Sequence, residues 1–150
     1  MATAPMSHAV YRRLLVPIAG SSESRRAVEI ACSLAAERDA ELVVVFVLEV
    51  SPLLPLDARM DDEEAAARTA FREAEEIADS FAIRLRGRKV RARDAGPAIV
   101  DAAEELGADV VVIAAPRKRR AYGRSRFGAT VRYVLAKAPC PVIVAAPPLA

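Results

Sequence analysis

Several common sources of chemistry are missing from this sequence. Histidine occurs once, at His8. A single imidazole near the start of the chain leaves no histidine to activate Ser21, Ser22 or Ser24 as nucleophiles. Cysteine occurs twice, at Cys32 and Cys140. That excludes a disulfide framework and a four-cysteine zinc site, and both residues read as small packing groups. No metal ligand set is expected. Only Lys89, Lys118 and Lys137 of the 22 basic residues are lysine. The formal net charge is only +2, which does not mark a general nucleic-acid binder. The longest strongly apolar stretch, Leu42 to Leu48, falls far short of the ~20 residues that a membrane helix needs. Residues 1–10 show no basic patch followed by an apolar run, as a secretory leader would. A soluble, cytoplasmic protein is the expectation. Neither G-x-G-x-x-G nor a P-loop follows the first apolar run.

What is present is a core. Apolar residues make up 53% of 150, enough for one packed domain. Residues 1–10 read as a flexible tail and 11–150 as the domain. Five β-branched runs recur: Leu14 to Ile18, Leu42 to Leu48, Lys89 to Arg93, Val110 to Ala114 and Val142 to Val144. The second and fourth are apolar without alternation, the pattern of strands buried on both faces of a parallel sheet. The third alternates and reads as an edge strand.

Helical spacing fills the intervals. Gly20-Ser21-Ser22-Glu23 caps a helix that carries Ala27, Ile30, Ala31 and Leu34. Asp61 to Glu64 place acid at the start of a second helix, and Arg84, Arg86 and Arg88 read as its far end. Pro97 and Gly107 bracket a third. The last runs from Ser125 or Gly128 to Ala138, stopped by Pro139. Strands and helices alternate strictly. That predicts a Rossmann-like α/β domain, an open parallel sheet of order 3-2-1-4-5 with helices on both faces. A ligand crevice then falls where the winding reverses, between Ala19-Gly20-Ser21 and Ala115-Pro116-Arg117-Lys118.

The segment from Pro116 to Gly128, PRKRRAYGRSRFG, holds six basic residues and no acid. It supplies +6 of the chain's +2, leaving the rest at −4. It precedes a helix whose first amides, near Gly128, Ala129 and Thr130, suit an anion. A solvated arginine loop is the plainer reading. Nucleic-acid contact is weaker still, because Tyr122 and Phe127 are the only interleaved aromatics.

Three pieces in order make the chain similar to the universal stress protein family over about Arg12 to Ala146. Leu14-Leu15-Val16-Pro17-Ile18-Ala19-Gly20-Ser21 resembles that family's first strand and turn. Gly96 to Ala103, followed by Gly107-Ala108-Asp109-Val110, resembles its third helix and fourth strand. Tyr133-Val134-Leu135 through Ala138-Pro139-Cys140-Pro141-Val142-Ile143-Val144 resembles its closing signature. The resemblance implies the same sheet order and a homodimer.

One branch of the family binds ATP, and the resemblance implies the residues that do so. An aspartate follows the first strand there, where this chain has Ala19. The pattern G-x-x-G, nine residues, then G-[ST] follows the fourth strand. Here Ala115 and Lys118 hold the first two glycine positions, and Gly128 is followed by Ala129, with Thr130 one place late. Val47 matches a position near adenine. Weak or no specific ATP binding is therefore expected, with Arg117 and its neighbours able to hold another anion by charge. The stretches Leu54 to Ala58 and Ala115 to Arg117 look like domains associated with transporters, amino-acid permeases above all. The reading is a non-enzymatic regulatory or sensing domain with no required cofactor. An ATP-binding switch and an anion-binding or interaction module working through residues 117–126 are the alternatives. The last strand, Val142 to Ala145, is apolar and carries no charge to guard an edge, so the dimer is expected to form through it.

Overall fold

A computed structural model describes residues 11–115 and 128–146. The order is β1 (Arg13–Ile18), α1 (Ser22–Ala36), β2 (Glu41–Glu49), α2 (Asp61–Ser80), β3 (Leu85–Ala92), α3 (Ala95–Leu106), β4 (Val110–Ala114), α4 (Ala129–Lys137) and β5 (Val142–Ala145). All five strands are parallel, in the order β3-β2-β1-β4-β5. The order and the two-sided helical cover agree with the expectation from the sequence. The tail at residues 1–10 and the basic loop at Pro116 to Arg126, with Arg117 and Lys118, lie outside the described residues.

The central strands bury both faces, which is why they show no alternation. Leu14, Val16, Leu42, Val44 and Val112 pack toward α1 and α2. Leu15, Val43, Val45, Val111 and Ile113 pack toward α3 and α4. Cys32 is fully buried in the first layer. Burial, with the charge of Glu29 behind it, pushes its thiol up to about 11. Both effects keep it protonated and inert, in keeping with a packing role.

Helix ends follow local chemistry. The Ser21 hydroxyl accepts from Ser24 N–H at 3.1 Å and caps α1. Gly107 closes α3 at φ +67, a left-handed position that suits glycine. At the amino ends of the strands, two residues after Gly107, Asp109 accepts from Arg12 N–H at 2.8 Å and Arg13 N–H at 3.0 Å. That carboxylate ties the start of β1 to the start of β4.

The third strand corrects the sequence reading. It begins at Leu85, so Arg86 and Arg88 belong to β3 and not to the end of α2, whose last turn carries no basic residue. The helix ends at Ser80, and the chain reverses through Ala82 at φ +55. Arg86 and Arg88 lie on the α3 side, where they meet Glu41 and Glu105, each at 2.6 Å. Gly87 between them faces α2, and a Cβ there would come within 2.9 Å of the Phe71 ring. Lys89 and Arg91 on that same side converge on Glu64 of α2.

Those two cations hold the Glu64 carboxyl below its ordinary 4.5, chiefly through the hydrogen bond from Lys89 and then that from Arg91. A depressed carboxylate adds stability that is present above its unfolded value and lost as pH falls toward the folded one. Acid titration of stability in the wild type should therefore show a decline below about pH 4.5 that Glu64→Gln lacks. Parallel acid limbs in the two proteins, followed by urea unfolding, would refute this pairing.

Candidate ligand crevice

Two strands part at the centre of the sheet. β1 pairs with β4 only at Leu14↔Val110 and Leu15↔Val111, although β1 runs on to Ile18 and β4 to Ala114. From that point β1 stays with β2, through Ile18↔Phe46, while β4 stays with β5. A cavity of about 440 Å³ opens at the carboxyl ends, on the α3 and α4 side. This is the reversal point at which α/β sheets bind ligands.

Of the residues singled out from sequence, Ala19, Val47, Gly128, Ala129 and Thr130 line this cavity. Gly20, Ser21 and Ala115 do not. Gly20 makes the turn out of β1 at φ +76, a conformation that strains any side chain. Ser21 is spent on the cap of α1. Ala115 is buried and donates its N–H to Ala145 C=O at 3.0 Å, extending the β4–β5 ladder away from the opening. Val47 lies within β2.

The floor is apolar, made by Val45 and Val47 of β2, Ile99 of α3 and Ile113 of β4. Its polar groups are few. Ser24, the one buried polar side chain among the described residues, accepts from Ala19 N–H at 2.9 Å and pairs with the Ser21 hydroxyl at 3.1 Å. The amide of the β1–α1 turn is thus satisfied from within. At the other side, α4 begins at Gly128 with no side-chain cap. Its first residues, Gly128, Ala129 and Thr130, line the cavity. Glu49, at the end of β2, lines the cavity and accepts from Ala95 N–H of α3 at 3.3 Å.

The main chain of β2 contributes as well. Glu41 N–H donates to Arg12 C=O, while Val50 N–H donates to Ala92 C=O. Odd-numbered residues of β2 therefore turn their main-chain groups toward β1, and even-numbered ones toward β3. β1 ends at Ile18, opposite Phe46. The Val47 C=O and the Glu49 N–H lie past that end and face the opening. An acceptor and a donor follow one another along the rim.

Sequence reasoning weighed Ser24 only as a nucleophile or a helix cap, not as a crevice residue, and did not single out Glu49. Ser24 stands three residues after the cap, and Glu49 is the acid that closes an apolar run, so both had a positional signal. Replacing Ser24 by alanine leaves the Ala19 N–H without its acceptor. The expected cost is about 1–3 kcal/mol in urea unfolding, the penalty for orphaning a buried polar group. A loss near zero would mean that the turn re-pairs this amide elsewhere.

Comparison with known proteins places this geometry. The family model described as the universal stress protein family matches residues 10–146. Universal stress protein MJ0531 of Methanocaldococcus jannaschii is 27% identical over 145 residues, spanning 93% of this chain and 84% of that protein. Universal stress protein UspA from Lactobacillus plantarum superposes with a TM-score of 0.74 at 26% identity, over 92% of this chain and 99% of that one. A universal stress protein from Archaeoglobus fulgidus, solved in complex with dAMP, superposes with a TM-score of 0.72 at 23% identity, over 90% of this chain and 98% of that one. Matched over nearly all of its length, with the sheet order and the parted strands that its sequence predicts, this chain belongs to the universal stress protein family.

Proposed function

We propose that this domain is a non-enzymatic regulatory module whose crevice takes an adenine mononucleotide and gains little from additional phosphates. The observation that carries the reading is the main-chain pair on β2, Val47 C=O followed by Glu49 N–H, beyond the end of β1. Adenine offers an amine donor beside a ring acceptor, the complement of that order. Backbone groups survive side-chain substitution, so the change to Ala19 does not remove them. The Archaeoglobus relative of the same fold holds dAMP, a mononucleotide.

The phosphate side is where this sequence is poor. Lys118 replaces a glycine that permits close approach, and Ala129 brings no hydroxyl. With Ala19, which removes a carboxylate at the nucleoside end, three contacts of about 1 kcal/mol each are lost, or roughly a hundredfold in ATP affinity. Ser24, one of the two hydroxyl side chains that line the crevice among the described residues, is bonded to the Ser21 hydroxyl and accepts from Ala19 N–H. Binding without turnover fits that arrangement.

Calorimetry with AMP, ATP and GMP, at low and moderate salt, tests the reading. AMP should exceed GMP, whose ring edge reverses donor and acceptor, and ATP should exceed AMP by no more than about tenfold. Any ATP excess should fade with salt, as an exposed arginine contribution does. Tight, salt-insensitive binding of ATP far above AMP would overturn it.

The module acts as a homodimer in this proposal. β5 is an edge strand bonded only to β4 among the described residues, with Val142, Ile143 and Val144 half-buried and Ala145 buried. An uncharged apolar edge invites pairing about a two-fold axis, which satisfies both rows of backbone groups. Light scattering should give twice the chain mass, and a monomer over a broad concentration range would overturn this part.

The interaction-module reading has an observation of its own. Leu53 is 93% exposed and Leu54 and Leu56 are close to half exposed, all on the loop between β2 and α2. Arg93 donates to Ser51 C=O at 2.6 Å and Leu54 C=O at 2.7 Å, and Arg91 to Ala58 C=O at 2.7 Å. An apolar loop held in shape by hydrogen bonds from two arginines is suited to contact with another protein.

A further inference from the structure

Two helices begin at the crevice, with their first residues among its lining: α4 at Gly128 to Thr130, and α3 at Ala95. They are not equivalent. Glu49 sits against the α3 end, with Oε2 accepting from Ala95 N–H at 3.3 Å. Among the described residues that line the cavity it is the only ionisable one. It also makes no ion pair with another described residue, since Arg93 nearby is committed to the carbonyls of Val50, Ser51 and Leu54. Its negative charge cancels the favourable field of the α3 terminus and repels a second anion there.

The placement of Glu49 gives the crevice a direction. β2 and β4 are separated by β1, two strand spacings or about 10 Å. Glu49 stands at the β2 end, on the same side-chain row as Val45 and Val47. α4 follows β4. Among the described residues, one end of the cavity is therefore negative and the other is the start of a helix with no side-chain cap, with an apolar floor between.

We propose that Glu49 is the selectivity element of this crevice: it reserves the β2–α3 end for the uncharged, hydrogen-bonding part of a ligand and drives phosphate to the α4 end. The proposal rests on the nucleotide reading for the identity of the ligand, but not for the exclusion of anions. Glu49 acts by charge, so a charge-conserving change must keep the effect and an isosteric neutral one must lose it.

The test uses the full chain with Glu49→Gln, Glu49→Asp and, as a control for total charge, Glu63→Gln on the first turn of α2. Glutamine keeps an oxygen for Ala95 N–H, and circular dichroism establishes folding of each variant. Pyrophosphate, adenosine and AMP are titrated by calorimetry at low salt. Glu49→Gln should bind pyrophosphate about tenfold more tightly than wild type, as removal of one nearby like charge permits. Adenosine affinity should stay within about twofold, a shift below 0.5 kcal/mol. Glu49→Asp and Glu63→Gln should match wild type with pyrophosphate. Unchanged pyrophosphate binding in Glu49→Gln, or an equal gain in Glu63→Gln, overturns the role of Glu49. Should Glu49→Gln not fold, tightened pyrophosphate binding in Glu49→Asp overturns it equally. Failure of the wild type to bind adenosine or AMP overturns the nucleotide reading instead, and the pyrophosphate comparison then still decides the role of Glu49.

Discussion

β1 and β4 share two paired positions and then separate, and the architecture around the crevice depends on that separation. A parallel sheet wound outward from its first strand must send one crossover to each face. The two strands at the centre then have their following helices on opposite sides, which leaves a gap above their carboxyl ends among the described residues. Asp109 pins the amino ends of β1 and β4 through two main-chain amides, so the strands splay from a fixed origin. The cavity follows from the winding, and side chains only decide what it accepts.

Those side chains divide into groups satisfied within the protein and groups left available. Ser24 and Ser21 close the β1–α1 turn on itself, using up the amide that a phosphate would otherwise seek at α1. Glu49 occupies the α3 terminus. The α4 terminus has no side-chain cap, and the rim of β2 has main-chain groups past the end of its neighbour. Polar groups at a protein surface can be left to water, but in a cleft over an apolar floor they favour a ligand that supplies partners and displaces water together.

Much of this was legible in the sequence because strand burial and helix capping are local signals. Val110 to Ala114 carries no alternation and is buried on both sides, and its bounds coincide with those read from the sequence. Ser21 as a cap and Gly107 as a stop follow from backbone geometry alone. β3 was partly hidden. Its arginines meet acids that come from β2 and α3, 45 and 17 residues away in sequence. No local pattern distinguishes arginines on an edge strand from arginines that favour a helix end. Gly87 was a further obstacle, because glycine reads as a break, whereas here it makes room for Phe71.

The crevice was legible in position more than in chemistry. Comparison by motif finds side chains that are missing, such as the acid replaced by Ala19, and gives weight to their loss. It passes over the contribution of the main chain, which depends on where β1 stops relative to β2. That register is a long-range fact, set when Ile18 pairs with Phe46 and the chain turns at Gly20. Ser24 and Glu49 act through the same geometry. One fixes the turn that ends β1, and the other stands two residues past Val47 on the strand that outlasts it. In this fold the length of β1 relative to β2 therefore sets which main-chain groups of β2 lie past the end of β1, and the side chains of Ser24 and Glu49 act within that frame.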